Sequence, residues 1–229
     1  MIKKILALSL VLITMVSLEP VQASSNDDLE ELRTQSNEWE IVKNDTRREI
    51  KTYIKREHGK RVRSFKIDAI IDAPLDVVAR VHEDYDNYKR WYFKTVDSKL
   101  LKKVSATEVY YYMVYNSPVG LPDRDVVIRK IIEPYTSERG FMRFTTQATP
   151  KYLPENPQYV RVTALELTVK FTPMAGNKTH LESHGYLDPG GEDRFSPAWA
   201  VNYVQRSGPY AVMVGLQRMV QMPQYQSAQ

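Results

Sequence analysis

The fold is decided by residues 196–221, which read SPAWAVNYVQRSGPYAVMVGLQRMVQ. Ser196 can cap a helix, and Pro197 suits the first helical position, where no amide hydrogen is needed. The residues that follow carry almost no charge, and at about 1.5 Å per residue the run spans roughly 36–40 Å. A helix that is apolar on most sides is enclosed by other elements. Residues 196–221 therefore predict a long helix held inside the fold.

On a helical wheel this stretch has two apolar sides. One side carries Trp199, Tyr203, Tyr210 and Val214; the other carries Val201, Val204, Gly208, Val212, Gly215 and Met219. Proline removes a helical hydrogen bond and disfavours a helical conformation at the residue before it, so residues 207–209 are expected to kink or break the helix.

Most of the chain before residue 196 is typical of strands. A helix is predicted at 29–38, a strand beginning at 39–42 with a turn at Asn44-Asp45, two strands at 48–55 and 62–72, a short helix at 75–83, and strands at 94–104, 107–116, 124–133, 139–149, 159–172 and 178–188. The many hairpin-length connections favour antiparallel pairing. The pattern indicates an α+β fold in which a curved antiparallel sheet wraps around the final helix.

Composition bounds the classes of function. The 229 residues suit one domain, and 42 % hydrophobic residues are enough for a sizeable core. A net charge of +4, from 32 basic and 28 acidic side chains, gives no reason to expect a nucleic-acid partner. Cysteine is absent, which excludes disulfides, cysteine-ligated zinc and thiol catalysis. The 15 tyrosines suit either a half-wet cavity or ordinary strand packing.

The N-terminus has the pattern of a secretory signal peptide. Lys3 and Lys4 precede an uncharged apolar run at 5–18, and small residues follow at the end of Val21-Gln22-Ala23. The run is shorter than the about 20 residues that a membrane span needs. We expect cleavage after Ala23, a mature domain at 24–229 and export to a bacterial periplasm, with an uncleaved anchor as the alternative.

No catalytic or metal-binding motif stands out. The sequence contains no Gly-x-Ser-x-Gly and no Gly-rich phosphate loop. His180 and His184 are four residues apart, but on a strand that spacing separates them by about 13 Å, which is too far for one ion. His82, at the end of the predicted short helix, is expected to be solvated. No cofactor is expected.

Asp123-Arg124-Asp125 joins an apolar loop at 118–122 to a strand. Such a triplet can simply fix a turn through ion pairs and amide hydrogen bonds. Alternatively, it sets the position of a mobile lip whose Val119 and Leu121 touch a membrane or close over a ligand.

The final helix carries Asn202, Arg206 and Gln217 among apolar neighbours. In a closed core these groups need partners, and Glu166 is one candidate partner for Arg206. Polar groups between aromatic and apolar walls are also how a cavity orients an amphipathic ligand.

The chain resembles the START domain, the steroidogenic-acute-regulatory-related lipid-transfer family. The resemblance covers residues 27–222 and rests on the order of several degenerate motifs. These are Trp39, Asp84…Tyr88…Trp91, Tyr110 to Tyr115 leading into Pro118…Pro122-Asp123-Arg124-Asp125, and Pro197…Trp199…Asn202.

The resemblance implies a helix-grip fold with an internal hydrophobic tunnel, gated by the 117–125 loop and the last helix. It implies a protein that binds one lipid or other hydrophobic molecule, transfers or senses it, and, like most members of the family, does no chemistry of its own. Transient contact with a membrane surface is expected, and a monomer is favoured although the sequence does not identify the oligomeric state. The candidate tunnel and gate residues are Tyr112, Val119, Leu121, Arg124, Glu166, Tyr186, Trp199, Asn202, Tyr203, Arg206, Tyr210 and Met213.

Two alternatives stay open. Helix-grip relatives include polyketide cyclases and aromatases, for which Glu166, Arg206, His184 and Tyr186 are the acid–base candidates. The tunnel could also be filled by the protein's own side chains, which would make it a structural or interaction protein.

Overall fold

The computed structural model describes residues 38–191 and 196–226. The signal peptide and the predicted helix at 29–38, except Glu38, lie outside this part of the chain. In chain order the elements are β1 (Glu40–Asp45), β2 (Ile50–Lys55), β3 (Ser64–Ile71), α1 (Leu75–Glu83), a 3-10 helix (Tyr85–Arg90), β4 (Thr95–Lys103), β5 (Glu108–Tyr115), β6 (Arg124–Glu133), β7 (Met142–Ala148), β8 (Val160–Arg161), β9 (Ala164–Met174), β10 (Lys178–Asp188), α2 (Ala198–Met219) and α3 (Pro223–Gln226).

The strands form one curved sheet in the order β1-β2-β3-β10-β9-β7-β6-β5-β4. Every pairing along this path is antiparallel, as the hairpin-length connections predict. The short β8 lies off the path and pairs with β6 in parallel. Because β3 pairs with β10, the last strand of the chain lies inside the sheet, next to the first three strands.

Two local predictions are wrong. The predicted strand at 159–172 is divided into β8 and β9, with residues 162–163 between them. Asn44 and Asp45 belong to β1, paired with β2, and the turn is formed by residues 46–49. Glu49 takes the left-handed conformation in this turn (φ 54°), so the turn depends on a residue that no simple turn pattern marks.

Alternation along the strands sends one face of the sheet toward the helices. Buried side chains from β2, β3, β9 and β10, among them Ile50, Ile71, Phe171 and Leu181, join Leu216 of α2 in one core. Helix α1 adds Val77, Val78 and Val81 from its apolar side. The wrapped arrangement predicted from the final helix is confirmed.

Helix α2 corrects two further predictions. It continues through Pro209 without a break from Ala198 to Met219. It is not enclosed all round, because Trp199 and Tyr203 are 56 % and 46 % exposed. Most of its buried residues lie in its second half, and these are Pro209, Met213, Gly215, Leu216 and Met219, with Gly208 just before them. The first half therefore lies on the sheet as a cover, and the second half is anchored in the core.

Glutamine side chains fasten α2 and the residue after it to backbone carbonyls of the sheet. Gln217 Nε2 donates to Arg48 O (2.8 Å) and Ile70 O (3.0 Å), and Gln221 Nε2 donates to Asp72 O (2.9 Å). In the first half, Gln205 Nε2 donates to Arg63 O (2.8 Å). None of the described helices is both long and apolar enough to cross a membrane.

Helix α2 approaches the backbone around Trp91 closely at Gly215. A Cβ at this position would clash with the carbonyl oxygen of Trp91, whereas a Cβ at Gly208 would lie 3.4 Å from the flexible Phe93 ring. We expect Gly215→Ala to lower the free energy of unfolding by about 1–3 kcal/mol, because overpacking forces the helix away from its site. Chemical denaturation measures this.

Gly208→Ala is the matched control in the same helix. It should change the free energy of unfolding by no more than about 1 kcal/mol, the range of the intrinsic helix preference. Equal stability of the two variants would contradict the proposed contact at Gly215.

Candidate ligand-binding cavity

A cavity of about 200 Å³ lies between the inner face of the sheet and α2. Its wall is largely apolar and draws on most strands of the sheet. The apolar lining includes Phe65, Ile67, Met113, Ile128, Phe144, Leu165, Leu167, Val169, Leu181, Ala200, Val201, Val204, Val212 and Met213. The arrangement can shelter an apolar molecule from water.

The sequence builds this wall by simple alternation. On β5, Tyr111, Met113 and Tyr115 line the cavity, whereas Tyr112 and Val114 belong to a separate cluster with Val127. Because side chains alternate across a strand, the prediction that Tyr112 faces the tunnel is wrong. Its hydroxyl instead donates to Asp125 Oδ2 (3.1 Å) beneath the 150–159 loop.

The loop at 117–122 forms one end of the cavity, where Pro118 and Leu121 join the wall. The Ser117 amide donates to Asp123 Oδ1 (2.8 Å), and Arg124 Nη1 donates to Ser117 Oγ (2.7 Å). Arg124 Nη1 also donates to Pro122 O, and Arg124 Nη2 donates to Ser196 Oγ (3.0 Å). Arg124 therefore ties the loop to the residue just before α2, at a site where burial lowers its pKa.

The Asp125 side chain lies on the face of the sheet that points away from the cavity. Its carboxylate accepts from Arg161 Nε and Nη2, each at 2.8 Å, and both side chains are almost fully buried. Arg161 also donates to the carbonyls of Pro150, Leu153 and Pro154. The triplet thus fixes two loops, one on each face of β6.

Three predicted tunnel residues of α2, Asn202, Arg206 and Tyr210, hold the helix and do not line the cavity, whereas Gln205 does line it. Asn202 Oδ1 accepts from Arg63 Nη1 (2.6 Å), and Tyr210 OH donates to Asp45 Oδ2 (2.6 Å). Arg206 lies 3.8 Å from Glu40, and not beside Glu166 as one prediction had it. These three residues, like the exposed Trp199 and Tyr203, are absent from the described cavity wall.

Five predicted residues do meet at the cavity, namely Leu121, Arg124, Glu166, Tyr186 and Met213. Val119 is 100 % exposed at the tip of the loop. Glu166 borders the cavity but is exposed, between the inward-facing Leu165 and Leu167 of β9. His184 is exposed as well. Of the four acid–base candidates, Glu166 and Tyr186 are paired across β9 and β10 at the cavity, whereas Arg206 and His184 are absent from its described wall.

His82 is the clearest departure from prediction, because it is 5 % exposed and lines the cavity. Its ring lies 5.1–5.3 Å from the rings of Trp91, Phe144 and Phe171, and Nε2 has no hydrogen-bond partner among the described residues. Burial, and then the nearby charge of Lys130, lower the pKa of His82 well below its usual range. The imidazole is therefore neutral.

Lys130 was not predicted as a site residue, and its side chain is only 2 % exposed. Its Nζ donates to His82 O (2.9 Å) and lies 4.2 Å from the centroid of the Phe144 ring. Burial lowers the pKa of Lys130 to about 7. The signal was present in the sequence, because Lys130 shares its strand parity with Val126 and Ile128.

Among the residues that the structure describes, no three potential metal ligands come together. His180 and His184 lie on β10, and His180 Nε2 is 3.2 Å from Asp68 Oδ1 on the neighbouring β3.

Comparison of the sequence with models of known protein families identifies the family. The family model described as "START domain" matches residues 21–228. This chain belongs to the START-domain family. A START domain explains both the long C-terminal helix against the curved sheet and the apolar cavity between them.

Individual relatives agree with this fold. An uncharacterised protein of Pseudomonas aeruginosa is 25 % identical over 179 residues, which cover 78 % of this chain and 85 % of the relative. The crystal structure of the STAR-related lipid transfer protein from Xanthomonas axonopodis is 24 % identical, with a TM-score of 0.71, and covers 80 % of this chain and 99 % of that one. Human StAR-related lipid transfer protein 5 is 14 % identical, with a TM-score of 0.66, and covers 88 % of this chain and 94 % of that one.

Burial of the Lys130 amino group makes the free energy of unfolding depend on pH. Between its pKa of about 7 in the fold and the ordinary value of 10.5, the unfolded chain binds a proton at this site that the folded chain does not. Stability therefore rises with pH across this window, by up to about 1.4 kcal/mol per pH unit. Lys130→Met should remove this rise.

Chemical denaturation between pH 7.5 and 9.5 measures the two slopes, a range that avoids the titration of carboxylates and most tyrosines. The hydrogen bond to His82 O is lost in the variant at every pH, so it shifts the curve without changing its slope. Parallel curves for the wild type and the variant would show that Lys130 is charged in the fold.

Proposed function

We propose that this START domain binds one hydrophobic molecule in the cavity beneath α2 and carries or senses it. The observation that carries the proposal is the largely apolar wall, which leaves space between the sheet and the helix instead of closing into a filled core. Shielding apolar surface from water contributes about 0.8 kcal/mol per methylene group. An apolar cavity of this kind can offset the cost of taking such a molecule out of a bilayer.

The volume favours a small ligand. An engineered cavity of about 150 Å³ in another protein holds benzene, and most ligand pockets have roughly 300–1,000 Å³. A cavity of about 200 Å³ suits a single short chain or a ring system better than a two-chain lipid. A larger ligand would have to displace α2 or the 117–122 loop.

The end of the cavity formed by the 117–122 loop offers a membrane-binding surface. Val119 at the loop tip and Trp199 and Tyr203 on α2 are exposed, and the Tyr203 ring lies 6.3 Å from that of Phe93, which lines the cavity. Aromatic and apolar side chains around an opening suit the interface of a bilayer. Transient docking there would let the ligand pass directly between membrane and cavity.

We place this activity in the periplasm. The support is the basic and apolar pattern of residues 1–23, with small residues before Ser24.

Native mass spectrometry of the protein purified without detergent from its source cells tests both points. A discrete added mass, released by organic solvent, is expected. The protein mass itself should correspond to a chain that begins at Ser24. Val204→Trp, which fills the cavity, should lose the added mass, since Val204 is part of the wall.

Val96→Trp is the matched control, because it makes the same substitution at a residue of β4 that is exposed and absent from the described wall. It should keep the full added mass. If Val204→Trp folds and carries the same load as the control, the ligand is bound elsewhere and the proposal is wrong.

Membrane docking is tested by sedimentation with phosphatidylethanolamine–phosphatidylglycerol vesicles. The double variant Val119→Asp, Trp199→Asp should lower binding by roughly tenfold or more, since each buried apolar side chain contributes about 1.5–3 kcal/mol. Ile41→Asp is the control, because Ile41 is similarly exposed but lies on the edge strand β1. Equal losses for both proteins would point to a general charge effect.

A further inference from the structure

Three tyrosine hydroxyls of the cavity wall lack a strong hydrogen-bond acceptor. Tyr111 and Tyr115 project from the inner face of β5, and Tyr92 follows the 3-10 helix. The hydroxyls of Tyr92 and Tyr111 have no hydrogen-bond partner among the described residues. The hydroxyl of Tyr115 has only Met113 Sδ, at 3.5 Å, and a thioether is a weak acceptor.

Other tyrosines of this protein are paired with oxygen. Tyr88 OH donates to His82 O (2.6 Å), Tyr112 OH to Asp125 Oδ2 (3.1 Å) and Tyr225 OH to Asp84 Oδ2 (2.6 Å). Tyr85 OH also lacks a partner but lies outside the described cavity wall. The Tyr92 and Tyr111 hydroxyls, unlike that of Tyr85, are not among the fully buried unpaired atoms, so they remain accessible at the cavity wall. An acceptor supplied by a bound molecule can therefore pair with them.

The three hydroxyls belong to one region of the wall. The rings of Tyr92 and Tyr111 both pack against the ring of Tyr88, with centroids 5.7 Å and 5.6 Å from it. Burial, and then the nearby Tyr92 and Tyr115 hydroxyls, raise the pKa of Tyr111 well above its usual value. Burial likewise raises the pKa of Tyr92 to about 12, and it raises that of Tyr115. All three remain protonated at neutral pH and can donate.

The charges of the wall point to the same kind of ligand. Glu166 is the one carboxylate of the described wall, and it is exposed. Arg124 lies at the loop end, and Lys130 lies behind Phe144. A cationic group in this cavity would find no enclosed anion, whereas an oxygen acceptor finds donors.

We infer that Tyr92, Tyr111 and Tyr115 form the polar end of the ligand site, and that the ligand carries a carbonyl or carboxylate oxygen there. This assignment rests on the proposed function and makes it more specific. The apolar remainder of the ligand would lie along Ile128, Leu165 and Val169 of the wall. The three tyrosines would then set both the orientation of the ligand and the preference for its head group.

The test uses three molecules with the same chain length, namely decan-2-one, decanoate and n-decane. Their affinities for the purified protein are measured by displacement of the dye 1-aminoanthracene. The ketone, decanoate or both should bind at least about tenfold more tightly than decane, because a site with unpaired donors discriminates against a ligand that leaves them unpaired. Preference for decanoate alone would identify an anionic head group.

Tyr111→Phe, Tyr92→Phe and Tyr115→Phe keep the rings and remove the hydroxyls. Each should reduce the preference over decane several-fold without changing the affinity for decane. Tyr110→Phe is the control, because Tyr110 is on the same strand, stacks on Tyr152 with centroids 4.4 Å apart and is absent from the described wall.

The outcomes separate this assignment from the proposed function. If all three molecules bind equally and the phenylalanine variants change nothing, the protein binds hydrophobic ligands but the tyrosine site is wrong. If none displaces a dye that does bind the cavity, the assignment of this ligand class is overturned. If neither dye nor ligand binds, the proposed function fails as well.

Discussion

The structure depends on the seating of the second half of α2 against the sheet and against Trp91. Gly215 lets the helix backbone reach the Trp91 carbonyl, and Leu216 and Met219 fill the core beside it. Because this half is fixed, the first half of α2 is held at a fixed distance above the sheet. The cavity exists because the first half covers the sheet without packing fully into it.

Much of this architecture could be predicted from the sequence, because the apolar periodicity of residues 196–221 and the alternating strands constrain the fold strongly. Single positions were harder to assign. The prediction failed at Tyr112, where a run of tyrosines hides the alternation, although the parity of Tyr111 and Tyr115 could have been read. Lys130 follows the same parity as Val126 and Ile128, but a charged residue is not expected inside.

Helix α2 shows a different limit of prediction from sequence. Trp199, Tyr203 and Tyr210 looked like an inner wall because aromatic residues favour burial. In the structure the Tyr210 hydroxyl donates to Asp45. Trp199 and Tyr203 are exposed near the loop end of the cavity. Sequence periodicity shows which residues share a side of a helix, but contacts with the sheet decide which side faces inward. His82 was misjudged for the same reason, since its aromatic neighbours Phe144 and Phe171 come from distant strands.

The fastening of α2 by glutamine side chains has a consequence for how the cavity responds to its surroundings. Gln205, Gln217 and Gln221 hold backbone carbonyls through neutral amide groups. Such bonds carry no net charge to be screened by salt and no proton to be lost over the physiological range. These bonds would therefore hold the helix equally well over a range of ionic strength and acidity. The contacts of Tyr210 with the Asp45 carboxylate and of Arg206 with Glu40 would instead respond to both.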